Sequence, residues 1–359
     1  MLKNDSIYKN YTDQIKSANK IAIIIHKNSD MDAIGSAIAL KRLLKLNCNP
    51  ENQDLQIDIF SDTENIESDD YNLNKYAIFT KNEVFNKRKC KEYDLAICLD
   101  TANKKLLGKY ERILKYAKDT LNLDHHQTNT IYANNNIVVP KFSSTCELIY
   151  TLFIKVNGYK YTDTILRYLY AGIITDTDNL TNNIGRNTFK VIDGICGKDT
   201  KKIEQLEKIR NYFFKNESRS KFSLLKKAFD SIKFSEDGKI ALMKLTKQDF
   251  HDSKACMSDT IGIIDYATKL EGVEIACIFI KQENNTYYVS LRSKNDVNVG
   301  EIAEKMGGGG HAKAAAFQTK PTDNLKDVKS KLISLCQAEL KTEQEPEDLS
   351  NLFEDQPVL

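Results

Sequence analysis

The sequence lacks any long apolar run. No stretch approaches the roughly 18 to 20 consecutive apolar residues that a membrane-spanning helix needs. The N-terminus, MLKNDSIYKN, is polar where a secretory signal peptide would be apolar. We therefore expect a cytoplasmic protein with no membrane partner.

Paired cysteines and an excess of charge are also missing. The eight cysteines show neither CxxC pairs nor zinc-ligand spacing, which predicts reduced, mostly buried thiols rather than a disulfide framework. The net charge is only +2, from 52 basic and 50 acidic residues. Because non-specific binding to a polymer depends on neutralising many phosphates, attraction for long nucleic acid would have to come from a local patch. A small anionic substrate fits this balance better.

The 359 residues suit two domains and a tail. In the first half, apolar strand-like runs alternate with helical patterns, which indicates a parallel sheet with helices on both faces. A smaller α/β domain follows, and the last residues combine six acids with one lysine and two prolines, a composition typical of disorder. The expected divisions are a first domain over 1–215, a helical connector over 216–236, a second domain over 237–340 and an acidic tail over 341–359.

Ionisable side chains follow the predicted strands and helices of the first domain. The run IAIII is followed by HKNSDMDAIGSA, DLAICLD ends in Asp100, LDHH contains His125, and AGIITDT contains Asp176. Since carboxyl ends of parallel strands meet at one edge of a sheet, six side chains are expected to face one cavity: His26, Asp30, Asp32, Asp100, His125 and Asp176. The alternative for Asp30 and Asp32 is helix capping alone.

Four carboxylates in one cleft would repel each other, and two divalent cations would cancel their charge. A pair of ions about 3.5 to 4 Å apart serves in-line attack on phosphorus, with a water ionised near neutral pH. Mixed imidazole and carboxylate ligands favour Mn²⁺, with Mg²⁺, Co²⁺ and Zn²⁺ as alternatives.

A run of four glycines precedes the last histidine of the chain. Gly307, Gly308, Gly309 and Gly310 bare their backbone N–H groups and could form an anion-binding nest ahead of His311. Arg292 and Ser293 end the strand-like YYVSLRS, and arginine offers a bidentate fork to a phosphate. These residues are predicted to bind substrate; the alternative for the glycines is a flexible connector.

Taken in order, these motifs resemble the DHH/DHHA1 phosphoesterase superfamily over about residues 15 to 338. The matching segments are HKNSDMDAIGS, CLDTAN, LDHH, TDTDN and RSKNDVNVGEIAEKMGGGGHAKAAAF. Within the superfamily the chain is most similar to the bifunctional oligoribonuclease and 3′-phosphoadenosine 5′-phosphate phosphatase group. The resemblance implies an N-terminal DHH catalytic domain, a C-terminal DHHA1 substrate-binding domain, a site in the cleft between them, and a connector that acts as a hinge.

The resemblance also implies roles for individual residues. One ion would be held by His26, Asp30 and Asp100, and the other by Asp32, Asp100, His125 and Asp176. Asp124 would orient this site, and His126 would stabilise the scissile phosphate or assist the leaving group. Two positions depart from the family pattern: Leu180 stands where an aromatic is common, and Ala316 where glycine is usual.

The expected activity is metal-dependent hydrolysis of short RNA or DNA oligonucleotides, linear dinucleotides such as pApA and pGpG, and 3′-phosphoadenosine 5′-phosphate. No stable complex with long nucleic acid is expected, and the chain would act as a monomer or homodimer. The alternatives are a cyclic dinucleotide phosphodiesterase, a RecJ-like single-strand exonuclease, a pyrophosphatase of the same superfamily and, in a different class, a non-catalytic nucleotide-binding regulator.

Overall fold

A computed structural model describes residues 11, 14–27, 29–48, 55–62, 92–282, 284–295, 297–310 and 312–342. The chain divides into two compact units, Met1–Asn216 and Glu217–Leu359. Most of the predicted tail, residues 343–359, lies outside the described residues. No helix in the described part of the chain is long and apolar enough to cross a membrane.

The first unit is built on a five-stranded sheet, and every neighbouring pair of strands is parallel, as predicted. The strands, in the spatial order β2-β1-β3-β4-β5, are β1 (Lys20–Ile24), β2 (Gln56–Phe60), β3 (Tyr93–Leu99), β4 (Ala117–Asp124) and β5 (Asn135–Val138). Strand β5 was not predicted, because this short edge strand begins with two asparagines and buries only Ile137.

Helices surround this sheet. They are α1 (Met31–Asn47), a 3₁₀ segment (Lys104–Arg112), α2 (Ile113–Tyr116), α3 (Thr145–Ile149, continued as a π-helix over Tyr150–Val156), α4 (Asp163–Asp176), α5 (Arg186–Cys196) and α6 (Thr200–Phe214). Side chains alternate along a strand. Accordingly Ile21 and Ile23 pack with α1, α3 and α4, whereas Ala22 and Ile24 pack against Leu107 and other residues of the opposite layer. Both faces are therefore covered, as predicted.

Helix α3 begins after Ser144, and the Ser-x-x-Glu spacing to Glu147 predicts a reciprocal capping box of which only one half forms. The Ser144 side chain accepts from the Glu147 N–H at 3.0 Å. The Glu147 carboxylate accepts instead from the N–H and hydroxyl of Ser143, at 3.1 and 2.6 Å, and from Thr188 and Asn187. Burial explains the difference, since a fully buried carboxylate needs several donors.

The second unit is a smaller α/β domain. Its strands, in the order β10-β11-β9-β8-β7-β6, are β6 (Lys233–Phe234), β7 (Ile240–Leu245), β8 (Ile275–Lys281), β9 (Tyr287–Ser293), β10 (Gly309–Gly310) and β11 (Ala314–Gln318). Its helices are α7 (Arg219–Asp230), α8 (Lys247–Ser253), α9 (Ile263–Thr268), α10 (Val299–Lys305) and α11 (Leu325–Thr342), with a 3₁₀ turn at Met257–Thr260. Only β7 and β8 pair in parallel.

Each face of the second sheet has its own core. Alternate residues such as Leu242 and Phe279 pack with α10 and α11. Their neighbours, such as Met243 and Ile278, pack with α7 and α9. Helix α7 lies within the predicted connector, and its Leu224 and Ala228 belong to this second core. The predicted domain limits and the hinge function of 216–236 stay predictions.

Candidate metal centre

The strands and helices of the first unit end in the ionisable residues singled out by sequence. His26 follows β1, and Asp30 caps α1 by accepting from the Ala33 N–H at 3.0 Å. Asp100 follows β3 directly, with a left-handed φ of 55°, a backbone region that costs a non-glycine residue conformational energy. Because parallel strands place these ends at one edge, the six predicted ligands come together.

Three groups of side chains place possible ligand atoms within 4.8 Å of one another. They are His26, Asp30 and Asp100; Asp32, His125 and Asp176; and Asp100, Asp124, His125 and His126. All six predicted ligands belong to at least one group. Asp100 belongs to two of the groups and His125 to two, so the three groups are linked. The assignment of the ligands to two ions stays a prediction.

Asp100 occupies the centre of this cluster. Its oxygens lie 3.6 Å from His26 Nε2, 3.5 Å from His125 Nε2 and 3.7 Å from His126 Nδ1. Burial alone would raise the pKa of this carboxyl, but the neighbouring His125 and His26 hold it well below its usual range. The Thr145 hydroxyl also donates to Asp100 Oδ1 at 3.0 Å. Asp100 is thus a fixed anion with imidazoles around it.

Asp32 is held by the start of helix α3. Its two oxygens accept from the N–H groups of Thr145, at 2.7 Å, and Cys146, at 2.9 Å. Unpaired N–H groups at a helix N-terminus are natural partners for an anion. Burial and the nearby Asp100 carboxylate nevertheless raise the pKa of Asp32 to about 7, so the site needs additional positive charge to keep this group ionised.

The His125 ring is oriented for coordination through Nε2. A carbonyl oxygen can only accept, so the 3.3 Å contact with Phe142 O makes Nδ1 the donor and leaves Nε2 facing Asp100 and Asp176. Burial alone would lower the pKa of this imidazole, but Asp100, Asp176 and Asp32 raise it to about 10. Asp100 and Asp30 raise the pKa of His26 to about 10 in the same way, against the effect of burial.

Asp176 provides the test of whether the residues present suit a cation. Its Oδ2 is buried without a hydrogen bond, 3.3 Å from His125 Nε2, and burial together with the Asp32 carboxylate raises the pKa of Asp176 well above its usual range. A buried carboxylate oxygen without a donor is costly. A divalent cation between this oxygen and the neighbouring ligand atoms would satisfy it, so the donor set fits a metal.

A second histidine is fixed by a carboxylate. Asp124 Oδ1 accepts from His126 Nδ1 at 2.7 Å, and Asp124 Oδ2 accepts from the Asn129 amide at 2.5 Å. Burial lowers the pKa of His126, and Asp124 and Asp100 outweigh it, so the net shift is upward. The geometry agrees with an orienting function for Asp124. Asn129 was not singled out from the sequence, although its position four residues after His125 in HHQTN offered a weak signal.

Two glycines allow the helices to approach closely behind Asp32. A Cβ at Gly172 of α4 would lie 2.3 Å from Cys146 Sγ and 2.9 Å from Asp32 Oδ1, and one at Gly35 of α1 would lie 2.7 Å from Tyr168 O. Neither glycine interrupts its helix. Sequence reasoning missed them, along with Thr145 and Cys146, because their partners are distant along the chain.

The predicted substrate residues lie in the second unit. Arg292 is on β9, where its Nε lies 3.2 Å from Asp265 Oδ1, and the Ser293 hydroxyl donates to Ala312 O at 3.3 Å. His311 lies outside the described residues. These positions do not test the predicted substrate contacts, which stay predictions.

The glycine run has a defined structure. The N–H of Gly307 donates to Glu304 O and that of Gly308 to Ala303 O, which closes helix α10. Gly309 and Gly310 form β10 and pair with Ala316 and Ala315. A Cβ at Gly308 would lie 2.1 Å from Ala316 O. The run is therefore an ordered cap and strand rather than a flexible connector.

Residues outside the motifs also have defined positions. His251 is 84% exposed on α8, as expected of an ordinary surface histidine. Leu180, with a φ of 64°, packs against the core of the first unit. This packing gives the departure from the family pattern a structural role.

Comparison with known proteins identifies both units. The model of the DHH family, N-terminal domain, matches residues 20–173, and that of the DHHA1 domain matches residues 238–338. A probable bifunctional oligoribonuclease and PAP phosphatase of Streptococcus mutans is 26% identical, over 91% of this chain and 98% of that protein. A cyclic-di-AMP phosphodiesterase of Listeria monocytogenes is 25% identical over 92% of this chain but only 49% of its own length.

A solved structure has the same fold. The crystal structure of an exopolyphosphatase-related protein from Bacteroides fragilis superposes with a TM-score of 0.74 at 20% identity, covering 92% of this chain and 95% of that one. The two matched domains, in the order and at the positions of the two units, account for most of the chain. The chain therefore combines a DHH family N-terminal domain in its first unit with a DHHA1 domain in its second unit.

Proposed function

We propose that this protein is a metal-dependent phosphodiesterase that hydrolyses short oligonucleotides and linear dinucleotides, and also 3′-phosphoadenosine 5′-phosphate. The observation that carries the proposal is the convergence of six candidate ligands, Asp100 among them, with an Asp176 oxygen that is buried and lacks a donor. The similarity to a probable oligoribonuclease over nearly all of both chains supports this substrate class.

The proposed ligands divide as two sets, with His26, Asp30 and Asp100 in one, and Asp32, Asp100, His125 and Asp176 in the other. When bound, two divalent cations would polarise a phosphoryl group and lower the pKa of a water, and mixed nitrogen and oxygen ligands favour Mn²⁺. The residues themselves perform the remaining work. Thr145 and Cys146 hold Asp32, Phe142 O orients His125, and Asp124 orients His126.

His126 is the proposed catalytic residue beside the scissile phosphate. Its Nδ1 donates to Asp124, which fixes the ring, and Asp100 is 3.7 Å from the same nitrogen. An imidazole with a raised pKa can carry a proton near neutral pH. It would stabilise the phosphate or protonate the leaving oxygen. Arg292, Ser293, the glycines and His311 would bind the rest of the substrate from the second domain.

A cyclic dinucleotide phosphodiesterase is the second candidate, since a relative of that name aligns with 92% of this chain. That relative is about twice as long as this chain, so its activity supports a substrate assignment less strongly than does that of the oligoribonuclease relative, which matches over nearly its whole length. Both candidates would use the same metal centre, and substrate selection alone separates them.

The test is product formation with Mn²⁺ across one panel: pApA, a five-nucleotide RNA, 24-nucleotide RNA and DNA, 3′-phosphoadenosine 5′-phosphate and cyclic di-AMP. We expect mononucleotide release from the short members. Asp100→Asn should reduce turnover by about a thousandfold or more, because it removes the shared anion. Asp178→Asn is the matched control and should stay within about twofold, since Asp178 belongs to none of the three ligand groups.

Two results would contradict the proposal. Faster cleavage of the 24-nucleotide strands than of the short members would favour a single-strand exonuclease. Absence of turnover for every member, with Mn²⁺ bound, would favour a nucleotide-binding regulator.

A further inference from the structure

Three lysines on one face of the second sheet and one lysine of the helix that packs on that face form a group. Lys244 follows Leu242 by two residues on β7, and Lys281 follows Phe279 by two on β8. Residues two apart on a strand, like residues paired across strands, point to the same face, and Lys233 pairs with Leu242. Helix α11 packs on this face and carries Lys329. We call Lys233, Lys244, Lys281 and Lys329 the lysine face.

The ammonium groups gather around two neighbouring rings. Lys244 Nζ lies 5.9 Å and Lys281 Nζ 4.5 Å from the centroid of Tyr287, and Lys329 Nζ lies 5.1 Å from that of Phe279. The two ring centroids are 6.5 Å apart. Three ammonium groups therefore lie close to two adjacent rings, and cation–π contacts only partly offset the repulsion between these charges.

No carboxylate of the described residues lies within ion-pair distance of the lysine face. None of the described ion pairs includes a residue of the lysine face. Lys281 donates to the carbonyl and side-chain oxygens of Asn285, which are uncharged. Burial, with Lys244 and Lys233 nearby, lowers the pKa of Lys329. Such a cluster is unfavourable by itself, and an anion would relieve it.

The lysine face is distinct from the predicted substrate residues of the same unit. Leu291 lies in the core beneath the lysine face, so its strand neighbour Arg292 points to the opposite face. There it meets Asp265 of α9, a helix whose Ile263 and Ile264 pack in the other core. A ligand of the lysine face therefore does not share the Arg292 contact.

We propose that the lysine face binds the phosphate backbone of single-stranded nucleic acid through residues that belong neither to the metal centre nor to the surroundings of Arg292. A row of ammoniums on flexible stems suits a ligand that repeats its charge at every nucleotide, and the partly exposed Tyr287 ring offers apolar contact. This inference rests on the proposed function for its substrate class, and it supplies the local patch that a net charge of +2 requires for polymer binding.

The test measures binding without turnover. Fluorescence anisotropy of labelled 24-nucleotide RNA and DNA is recorded on the full chain in EDTA, with inorganic polyphosphate and poly-glutamate as competitors. Lys244→Gln/Lys329→Gln should raise the Kd about tenfold and reduce the salt slope by about 1.4, or roughly 0.7 for each lost phosphate contact. The matched control is Lys326→Gln/Lys331→Gln, which removes the same charge from exposed positions of α11. Its Kd should stay within about twofold of wild type.

The outcomes separate this inference from the proposed function. Mn²⁺-dependent hydrolysis of pApA should be the same in both double variants and in wild type. Neither variant should have a lower melting temperature than wild type, because Lys244→Gln/Lys329→Gln relieves charge repulsion and the control changes only exposed side chains. Equal loss of binding in the two variants, or a ligand preference for polyphosphate or poly-glutamate over nucleic acid, would overturn the lysine face as a nucleic-acid site. Lysine-dependent binding without hydrolysis of any panel member would overturn the proposed function and leave the lysine face intact.

Discussion

The two units each collect charges of one sign, and they hold them differently. In the first unit the carboxylates are largely buried, and both oxygens of Asp32 accept from backbone N–H groups. On the lysine face of the second unit, Lys244, Lys281 and Lys329 lie over aromatic rings on long side chains, and none of them takes part in a described ion pair. Directed donors fix oxygen positions closely enough for a metal ion, whereas flexible ammoniums can follow a chain of phosphates.

The difference follows from how each sheet gathers its charges. A parallel sheet brings together the residues that follow separate strands, so Asp100 and His125 meet although they lie 25 positions apart. A sheet face repeats every second residue, so Lys244 and Lys281 lie beside each other as continuations of two apolar patterns. Converging strand ends therefore produce a compact cluster of ligands, whereas the repeat along a sheet face produces an extended charged surface.

The largest predicted effect is the difference in pH dependence between Mn²⁺ binding at the metal centre and nucleic-acid binding at the lysine face. His26 and His125, with pKa values of about 10, carry protons near neutral pH in the absence of metal, and both must release them to coordinate. Mn²⁺ affinity should therefore rise roughly tenfold or more for each pH unit between about pH 6.5 and 8.5. Nucleic-acid binding by the lysine face should instead weaken slightly, because Lys329 loses its proton earlier than an ordinary lysine.

Calorimetric titration with Mn²⁺ in buffers of different ionisation enthalpy measures this proton release. The stability of the metal-free protein should change in the opposite direction to Mn²⁺ affinity. A folded pKa above the unfolded value of 6.5 stabilises the metal-free protein fully below pH 6.5, and that contribution is lost as the pH passes 10. The metal-free melting temperature should thus fall from about pH 7 to pH 9.5. An Mn²⁺ affinity that is independent of pH would contradict the assignment of these histidines as ligands.

Much of the fold, and the proximity of the six candidate ligands, could be predicted because the signals are local. Apolar runs specify β1 and β3, the Asp30 and Thr162 side chains cap their helices as short-range patterns predict, and family motifs mark the ligands. What supports the ligands could not be predicted in the same way. Nothing near Asp32 in the chain reveals that Thr145 and Cys146, more than 110 residues away, will donate to it.

The structural function of the glycines was the hardest to predict from the sequence. Gly172 lies inside a regular helix, where the pattern gives no reason for it, and only the approach of Cys146 and Asp32 explains the missing side chain. The run Gly307–Gly310 was predicted to bind an anion through its backbone N–H groups, yet two of these N–H groups donate to carbonyls at the end of α10. A glycine selected for close packing and one selected for ligand binding look alike in a sequence.

Gly172→Ala should destabilise the core of the first unit and leave the second unit unchanged. The added methyl group meets Cys146 Sγ and Asp32 Oδ1, and overpacking of this kind costs about 1 to 3 kcal/mol. We expect lower stability of the first unit and weaker Mn²⁺ binding. Peptide-resolved hydrogen exchange should show no change in the second unit, whose core is separate.

Cys146→Ala provides the control for this packing. The nearest obstruction is its sulfur, so Cys146→Ala/Gly172→Ala should recover part of the stability lost by Gly172→Ala, although contact with Asp32 remains. A single Gly172→Ala variant with wild-type stability and Mn²⁺ affinity would show that α3 and α4 can separate at no cost to the centre.

The smallest effect should come from one hydroxyl. Thr145→Val keeps the shape of the side chain and the N–H that binds Asp32, but removes the donor to Asp100 Oδ1. A hydrogen bond to a charged group contributes about 1.5 kcal/mol, so Mn²⁺ affinity should fall roughly tenfold. Thr145→Ser should restore it, because the hydroxyl is kept. If Thr145→Val binds Mn²⁺ as tightly as wild type, the imidazoles alone position Asp100, and the contrast with the lysine face would rest on the backbone donors to Asp32.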